Sequence, residues 1–184
     1  MSRHVKGVLF ADYVRMMRAC KSVDWSRTLA PADLAYLHAK IAPDDWYPME
    51  TFERFGDAIL AEVAGSDLQA VRSWGRFSVD ALTAKWPQLV APGEAVETLM
   101  RFRVLRSTFF DFEALTIPTL VDGQADIVIA YQMGAVAEEA ACYQTMGFFE
   151  RLLELGGATN VYAQFVQRSW MGDEKTRLDI TWDA

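Results

Sequence analysis

The chain has 184 residues, 52% of them hydrophobic and 12% aromatic, enough apolar material for one well-buried core and too little for two. Its net charge of −7 argues against nucleic-acid binding, which depends on clustered cations that displace counterions from phosphates. No apolar run approaches the ~18–20 residues needed to span a bilayer, and the short run from Val8 to Ala11 breaks at Asp12, too soon for a secretory signal. Cys20 and Cys142, far apart in sequence, read as two free thiols in a soluble, cytoplasmic chain.

In chain order the pattern is helical to about residue 106 and strand-rich beyond it. A first helix is expected over 6–20, with Val5, Leu9, Tyr13 and Met16 or Met17 at spacings of three and four. Pro31 opens a second through Leu34, Leu37 and Ile41, because a first turn tolerates the missing N–H. Pro48 plays the same part for a third, whose Phe52, Phe55, Ile59 and Val63 form one apolar stripe. Gly65 supplies a left-handed stop. Ser66 or Asp67 can then cap a fourth helix presenting Val71, Trp74, Phe77 (or Ser78) and Ala81 until Pro87 ends it. A fifth, over 93–106, carries Val96, Leu99 and Met100.

Two β-prone runs, 109–120 and 126–131, flank Asp122-Gly123, whose backbone freedom suits a tight hairpin. Pro118 makes the first run an edge strand or marks a bulge in it. Residues 135–155 form the clearest helix, with Ala137, Ala141, Phe148, Leu152 and Leu155 along one side and Gly156-Gly157 as its stop. A last hairpin pairs 161–168 with 175–182; Leu178, Ile180 and Trp182 alternate with Arg177, Asp179 and Thr181, one face buried and one wet. The fold class is therefore α+β. An N-terminal helical subdomain (1–106) precedes a small antiparallel sheet of two hairpins packed on a long helix (107–184), in one domain over 1–184.

Few residues carry reactive chemistry. His4 lies near a terminus and is expected to be disordered or exposed; His38 reads as a surface or structural histidine inside a helix. No His/Cys/Asp/Glu set has zinc spacing. The pairs Asp44-Asp45 and Glu138-Glu139 read as helix-terminal charges, and Arg101, Arg103 and Arg106 as a solvated helix end. There is no nucleophile elbow and no phosphate-cradling glycine loop, so nothing points to catalysis. The aromatic residues read first as core, and second as the walls of a cavity for a flat or greasy ligand.

Several segments, taken together and in order, carry a resemblance. They are the opening Val5-Lys6-Gly7-Val8-Leu9-Phe10, Tyr47-Pro48 before a helix, Trp74-Gly75-Arg76-Phe77, Trp86-Pro87-Gln88-Leu89, and the stretch from Val121-Asp122-Gly123 to Tyr131. A long helix and Leu178-Asp179-Ile180-Thr181-Trp182 follow. Collinear over nearly the whole chain, they resemble the haem–nitric-oxide-binding (H-NOX) family. The chain is also similar to a bacterial family of paralogous myxobacterial proteins of unknown function. A like arrangement occurs in four-vinyl-reductase domains and TRAPP transport subunits.

The resemblance implies a proximal histidine on the helix before the hairpin, here 93–106, where Glu97 to Val104 holds none; arginine offers iron no lone pair. It also implies a Tyr-x-Ser-x-Arg grip on the haem propionates, of which Tyr131-Gln132-Met133-Gly134-Ala135 keeps only the tyrosine. The expectation is a non-catalytic, haem-free sensory or protein-interaction module with no cofactor and no metal. A remnant pocket of Trp74, Phe77, Phe102 and Tyr131 would take a small apolar ligand. Partners would be a protein in trans or a second copy in a homodimer, since Ala137 and Ala141 would permit close helix approach, with internal packing the plainer explanation. In the family's gas sensors ligand binding shifts the helical part against the sheet part, and another stimulus could act likewise if it binds the two states unequally. Two alternatives stand beside it: a haem-binding gas sensor using His38, Cys20, Met100 or Tyr131 as an atypical ligand, and a structural scaffold forming homo- or hetero-oligomers.

Overall fold

The computed structural model describes residues 2–183. The chain divides into two compact units, one from the residues up to Asp67 together with Ser107–Phe112, the other from Leu68–Arg106 and from Glu113 onward.

The first unit holds three helices, α1 (Gly7–Ala19), α2 (Pro31–His38) and α3 (Met49–Glu62), and a short antiparallel ribbon of β1 (His4–Lys6) with β2 (Trp46–Pro48). Its interior is aromatic. Phe10 stacks on Tyr47 at 4.5 Å and meets Phe55 at 5.3 Å, and Tyr13 stacks on Phe52 at 4.3 Å. Three expectations need correction here. Pro48 does not sit inside the first helical turn; it ends β2 in an extended conformation and caps α3 from outside. α2 stops at His38, leaving Ile41 beyond it. His4 is neither loose nor fully exposed: its main-chain N–H donates to Asp111 Oδ1, and its ring Nδ1 lies 2.5 Å from Oδ2. That pairing belongs to an antiparallel bridge between Val5 and Phe110, so 109–111 joins the ribbon rather than the hairpin.

Polar groups are buried among these rings. Asp33, nearly inaccessible, accepts from Arg54 Nε and from the Thr51 hydroxyl, and the guanidinium holds its carboxyl below the usual range. Asp57 stands differently. Its Oδ1 is buried with no hydrogen-bond partner among the described residues, and burial, with Glu53 nearby, pushes its pKa up. Burial likewise raises the neighbouring Asp12 carboxyl and the Tyr13 phenol.

The second unit contains α4 (Leu68–Lys85), α5 (Ala95–Leu105), α6 (Ala135–Leu155) and a four-stranded antiparallel sheet. Its strands β3 (Leu115–Val121), β4 (Gln124–Ile129), β5 (Thr159–Gln167) and β6 (Thr176–Asp183) run in the order β3-β4-β6-β5. Asp122-Gly123 forms the two-residue turn, with Gly123 at φ +75°. β3 is an edge strand and its register skips between Thr116 and Thr119, so Pro118 marks both an edge and a bulge. In β6, Leu178, Ile180 and Trp182 are buried between outward Arg177, Asp179 and Thr181. The mixed helix-and-sheet class expected from sequence is the one observed.

α6 is the axis of this unit. It is buried around most of its circumference, through Ala137, Ala141 and Leu152 but also Cys142, Met146, Phe149 and Leu153. Against it lies α4, whose buried stripe is Val71, Gly75, Val79 and Leu82, not Val71, Trp74, Phe77 and Ala81. The reason is a backbone-to-backbone crossing. A Cβ at Gly75 would collide with the Gln144 carbonyl, and one at Gly147 with the Arg72 carbonyl. Arg72–Glu150, Arg76–Glu154 (2.6 Å) and Arg151–Asp80 (3.3 Å) pair across the two helices. Among the described residues no helix is long and apolar enough to cross a membrane.

Gly75→Ala and Gly147→Ala should each destabilise the protein by about 1–3 kcal/mol, the cost of forcing apart a packed contact. Gly56→Ala in α3, where the added carbon meets only the Tyr13 ring at 3.5 Å, should be neutral or stabilising by up to about 1 kcal/mol. Urea denaturation of the three variants checks the contrast.

The Asp57 carboxyl, its folded pKa above its unfolded value, contributes stability only below the unfolded value and loses it as pH rises through the folded one. Asp57→Asn should therefore raise Tm at pH 7, and the gain should vanish below about pH 4, where both states of the wild type are protonated. Thermal melts at several pH values read this directly.

Candidate functional site

All four residues expected to line a pocket lie in the second unit, and the structure separates them. Phe102, on α5, is fully packed, its ring 5.2 Å from Phe148 and 5.1 Å from Phe149 of α6. Tyr131, just past β4, is also buried, and its hydroxyl lies 2.6 Å from the Thr145 hydroxyl of α6. Trp74 is half-buried on α4. Phe77 is 70% exposed; two residues from both Gly75 and Val79, it points away from the helix's buried stripe. The rings of Phe102 and Tyr131 are thus interior packing against α6, while Phe77 faces outward.

A cavity of about 260 Å³ lies elsewhere in this unit. It is framed by the end of β4 at Ile129, the link at Gln132 and Met133, Glu138 of α6, and Trp170 and Lys175 between β5 and β6. None of the four expected residues lines it.

The cavity's construction is local. Glu138, in the first turn of α6 and buried, accepts hydrogen bonds from the main-chain N–H groups of Tyr131 (3.3 Å) and Met133 (2.8 Å). Gln132 between them takes φ +58°, a left-handed conformation that lets the link reverse over the carboxylate. Glu138 is the acidic residue of a first helical turn, as expected, and also a strut inside the fold. An acidic residue in the first turn of a strong helix is the sequence signal for such a cap. Trp170 is held edge-on by Phe165 at 5.1 Å.

One turn beyond Glu138, Cys142 is fully buried, and burial pushes its thiol far up despite a hydrogen bond with Thr176. It remains a neutral thiol, without the thiolate that nucleophilic chemistry requires. Of the two carboxylates at the cavity, Glu138 is committed to backbone amides and Glu174 stands next to Lys175; neither histidine lines it. What this arrangement can do is hold a small molecule by contact, hydrogen bonding and the charges of Glu174 and Lys175.

Ligand donors are scattered. His38 is exposed at the end of α2, Cys20 is half-buried after α1, and Met100 is exposed on α5. Among the described residues no group of three or more His, Cys, Asp or Glu could hold a metal ion. The buried face of α5 consists of Thr98, Leu99 and Phe102, and the Thr98 hydroxyl accepts from Ala91 N–H at 3.0 Å. Its basic residues are tied locally. Arg101 pairs with Glu97 and donates to the Gln88 carbonyl, and Arg106 Nε donates to the Leu115 carbonyl at 2.7 Å.

No protein-family model matches the chain, and no curated protein matches it. Among solved structures it is similar to an H-NOX protein from S. oneidensis in the Fe(II)NO ligation state, with 14% identity over 97% of this chain and 99% of that one and a TM-score of 0.68. It is similar also to an Fe(II) unliganded H-NOX mutant from K. algicida (10% identity, 97% of each chain, TM-score 0.65). A T. Tengcongensis H-NOX mutant gives 12% identity, 97% of this chain, 98% of that one and a TM-score of 0.62. At such identities the likeness is one of architecture: the chain has the H-NOX fold.

Proposed function

We propose that this protein is a non-catalytic sensory or interaction module of H-NOX fold that works without haem. Solved structures of this fold are described in Fe(II) ligation states, and one by its haem distortion, so the haem question comes first. The donor set does not fit that group. Haem iron takes a lone pair from His, Cys, Met or Tyr. α5 offers no imidazole, thiolate or phenol over Ala95–Leu105; its thioether, Met100, is exposed, and its inward positions are Thr98, Leu99 and Phe102. The single observation that carries the reading is that no donor lies on the buried face of α5. Tyr131 reinforces it: the one residue retained from the propionate grip spends its hydroxyl on Thr145.

Signalling then falls to a partner in trans or to a small apolar ligand. Phe102 and Tyr131 serve the core, so Trp74 and Phe77 are the expected pocket residues left to make an apolar contact. A stimulus acts by binding two states unequally, and a chain of two compact units supplies parts that such states can differ in. The protein acts in the cytoplasm, without a catalytic step.

One observation favours the atypical-haem alternative: Met100 is exposed on α5, the helix from which the family ligates iron. The test is an absorption spectrum of protein expressed with haem precursor and purified under reducing conditions. No Soret band, and no uptake of added haemin, is the expected result. A stoichiometric Soret band that Met100→Leu abolishes would replace the proposal with the Met-ligated alternative.

A further inference from the structure

The two edges of the sheet are unlike. β3, at one side, is blunted by Pro118. Both edge strands skip register, β3 between Thr116 and Thr119 and β5 between Thr159 and Tyr162 and between Phe165 and Gln167, so the regular run of β5 is Tyr162–Phe165. β5, at the other, pairs only with β6. Its nine residues include no charged side chain, no proline and no glycine, in a chain of net charge −7. Two outward side chains are apolar, Tyr162 at 60% exposure and Val166 at 50%, with Gln164 exposed between them. An uncharged, β-prone edge that exposes apolar side chains and unpaired main-chain groups is a template for another strand.

We propose that β5 pairs with β5 of a second copy of this chain, antiparallel about a two-fold axis at Gln164, joining two sheets into one of eight strands. The strand is self-complementary in that register. Tyr162 of each copy meets Val166 of the other on the outer face, and Ala163 meets Phe165 on the inner face, a small residue opposite a large one. The glutamines at the axis can hydrogen-bond to each other through their amides.

The ends decide between a second copy and an unrelated strand, and between antiparallel and parallel pairing. Exposed Arg168 follows one end of β5. At the other end Asn160 donates to exposed Asp183 of β6 at 2.8 Å. Asn160, at φ +49°, and the two register skips break the regular ladder near the ends. Antiparallel pairing still brings the Arg168 end of each copy to the Asp183 end of its partner, giving two symmetric opposite-charge contacts. Parallel pairing would oppose arginine to arginine. The absence of charge between those ends lets two acidic molecules approach there without repulsion. A closed two-fold interface of one short strand is small, so the dimer is weak, with a Kd of roughly 1–100 µM.

Sedimentation of the full chain over roughly 1–200 µM at low salt tests this. Wild type should show a monomer–dimer equilibrium. Arg168→Glu and Asp183→Lys, each at an exposed position, should separately weaken the dimer by about tenfold or more, because each creates two like-charge contacts. An equimolar mixture of the two should recover dimer as a heterodimer, in which both contacts are again opposite in sign. Gln164→Cys should give an oxidised, disulfide-linked dimer, since residues facing each other across an antiparallel axis lie about 4.5–5.5 Å apart at Cα. Wild type monomeric over the whole range would overturn the proposal. So would a dimer indifferent to both reversals, or a mixture that fails to recover what the single variants lose.

Discussion

The second unit depends on the absence of two side chains. Where α4 crosses α6, Gly75 meets the Gln144 carbonyl and Gly147 meets the Arg72 carbonyl, so the helices touch through their main chains. Contact this close excludes water from the crossing and helps bury α6 around most of its circumference. The Arg72–Glu150 and Arg76–Glu154 pairs flank the crossing and fix the rotation of one helix on the other. With α6 so held, its other surfaces become a platform: Phe149 for Phe102, Thr145 for Tyr131, Glu138 for the link after β4, Cys142 for Thr176. Moving the crossing by one methyl group would disturb every one of these attachments, because a packed interior has no slack to absorb it.

The parts of this architecture that sequence makes legible are those whose signal is local. Asp122-Gly123 between two β-prone runs can hardly be other than a hairpin. α6 runs over the expected residues because apolar residues recur on every turn of it and Gly156 ends it. β6 shows its two faces in its alternation. The failures are equally physical. α4 presents its large residues to a periodicity argument, yet its true contact is a glycine, invisible to any count of apolar side chains. The ribbon of β1, β2 and Phe110 joins segments remote in sequence, each too short to display a period. The grouping of Trp74, Phe77, Phe102 and Tyr131 followed order along the chain. Order does not record that Thr145 takes the Tyr131 hydroxyl, or that Phe77 lies opposite Gly75.

The groups that could carry chemistry are occupied by structure. Glu138 holds two main-chain amides, Cys142 is driven to its neutral form, Asp33 and Arg54 hold each other, and Arg101 and Arg106 bind nearby carbonyls. Asp57 is the exception, a carboxyl the fold buries at a cost to its charged form. Glu53 adds to the shift by repulsion, and the charge of Asp57 in turn adds to burial in raising the Tyr13 phenol.

Each unit also fills its own interior. Phe10, Tyr47 and Phe55 close one, and Phe102, Phe148 and Phe149 close the other. Aromatic rings occupy volume and supply much of the contact area in each unit. That bears on what the fold can sense. A ligand that shifts such a fold between two states, whether at the cavity beside Glu138 or at a surface, must discriminate between those states by free energy. The outward apolar features include Phe77 on α4, Met100 and Val104 on α5, Val136 at the start of α6, Met171 after β5, and the uncharged edge of β5. Of these, only the edge offers directional main-chain groups as well as apolar area, and so it alone can specify a partner's orientation as well as attract it.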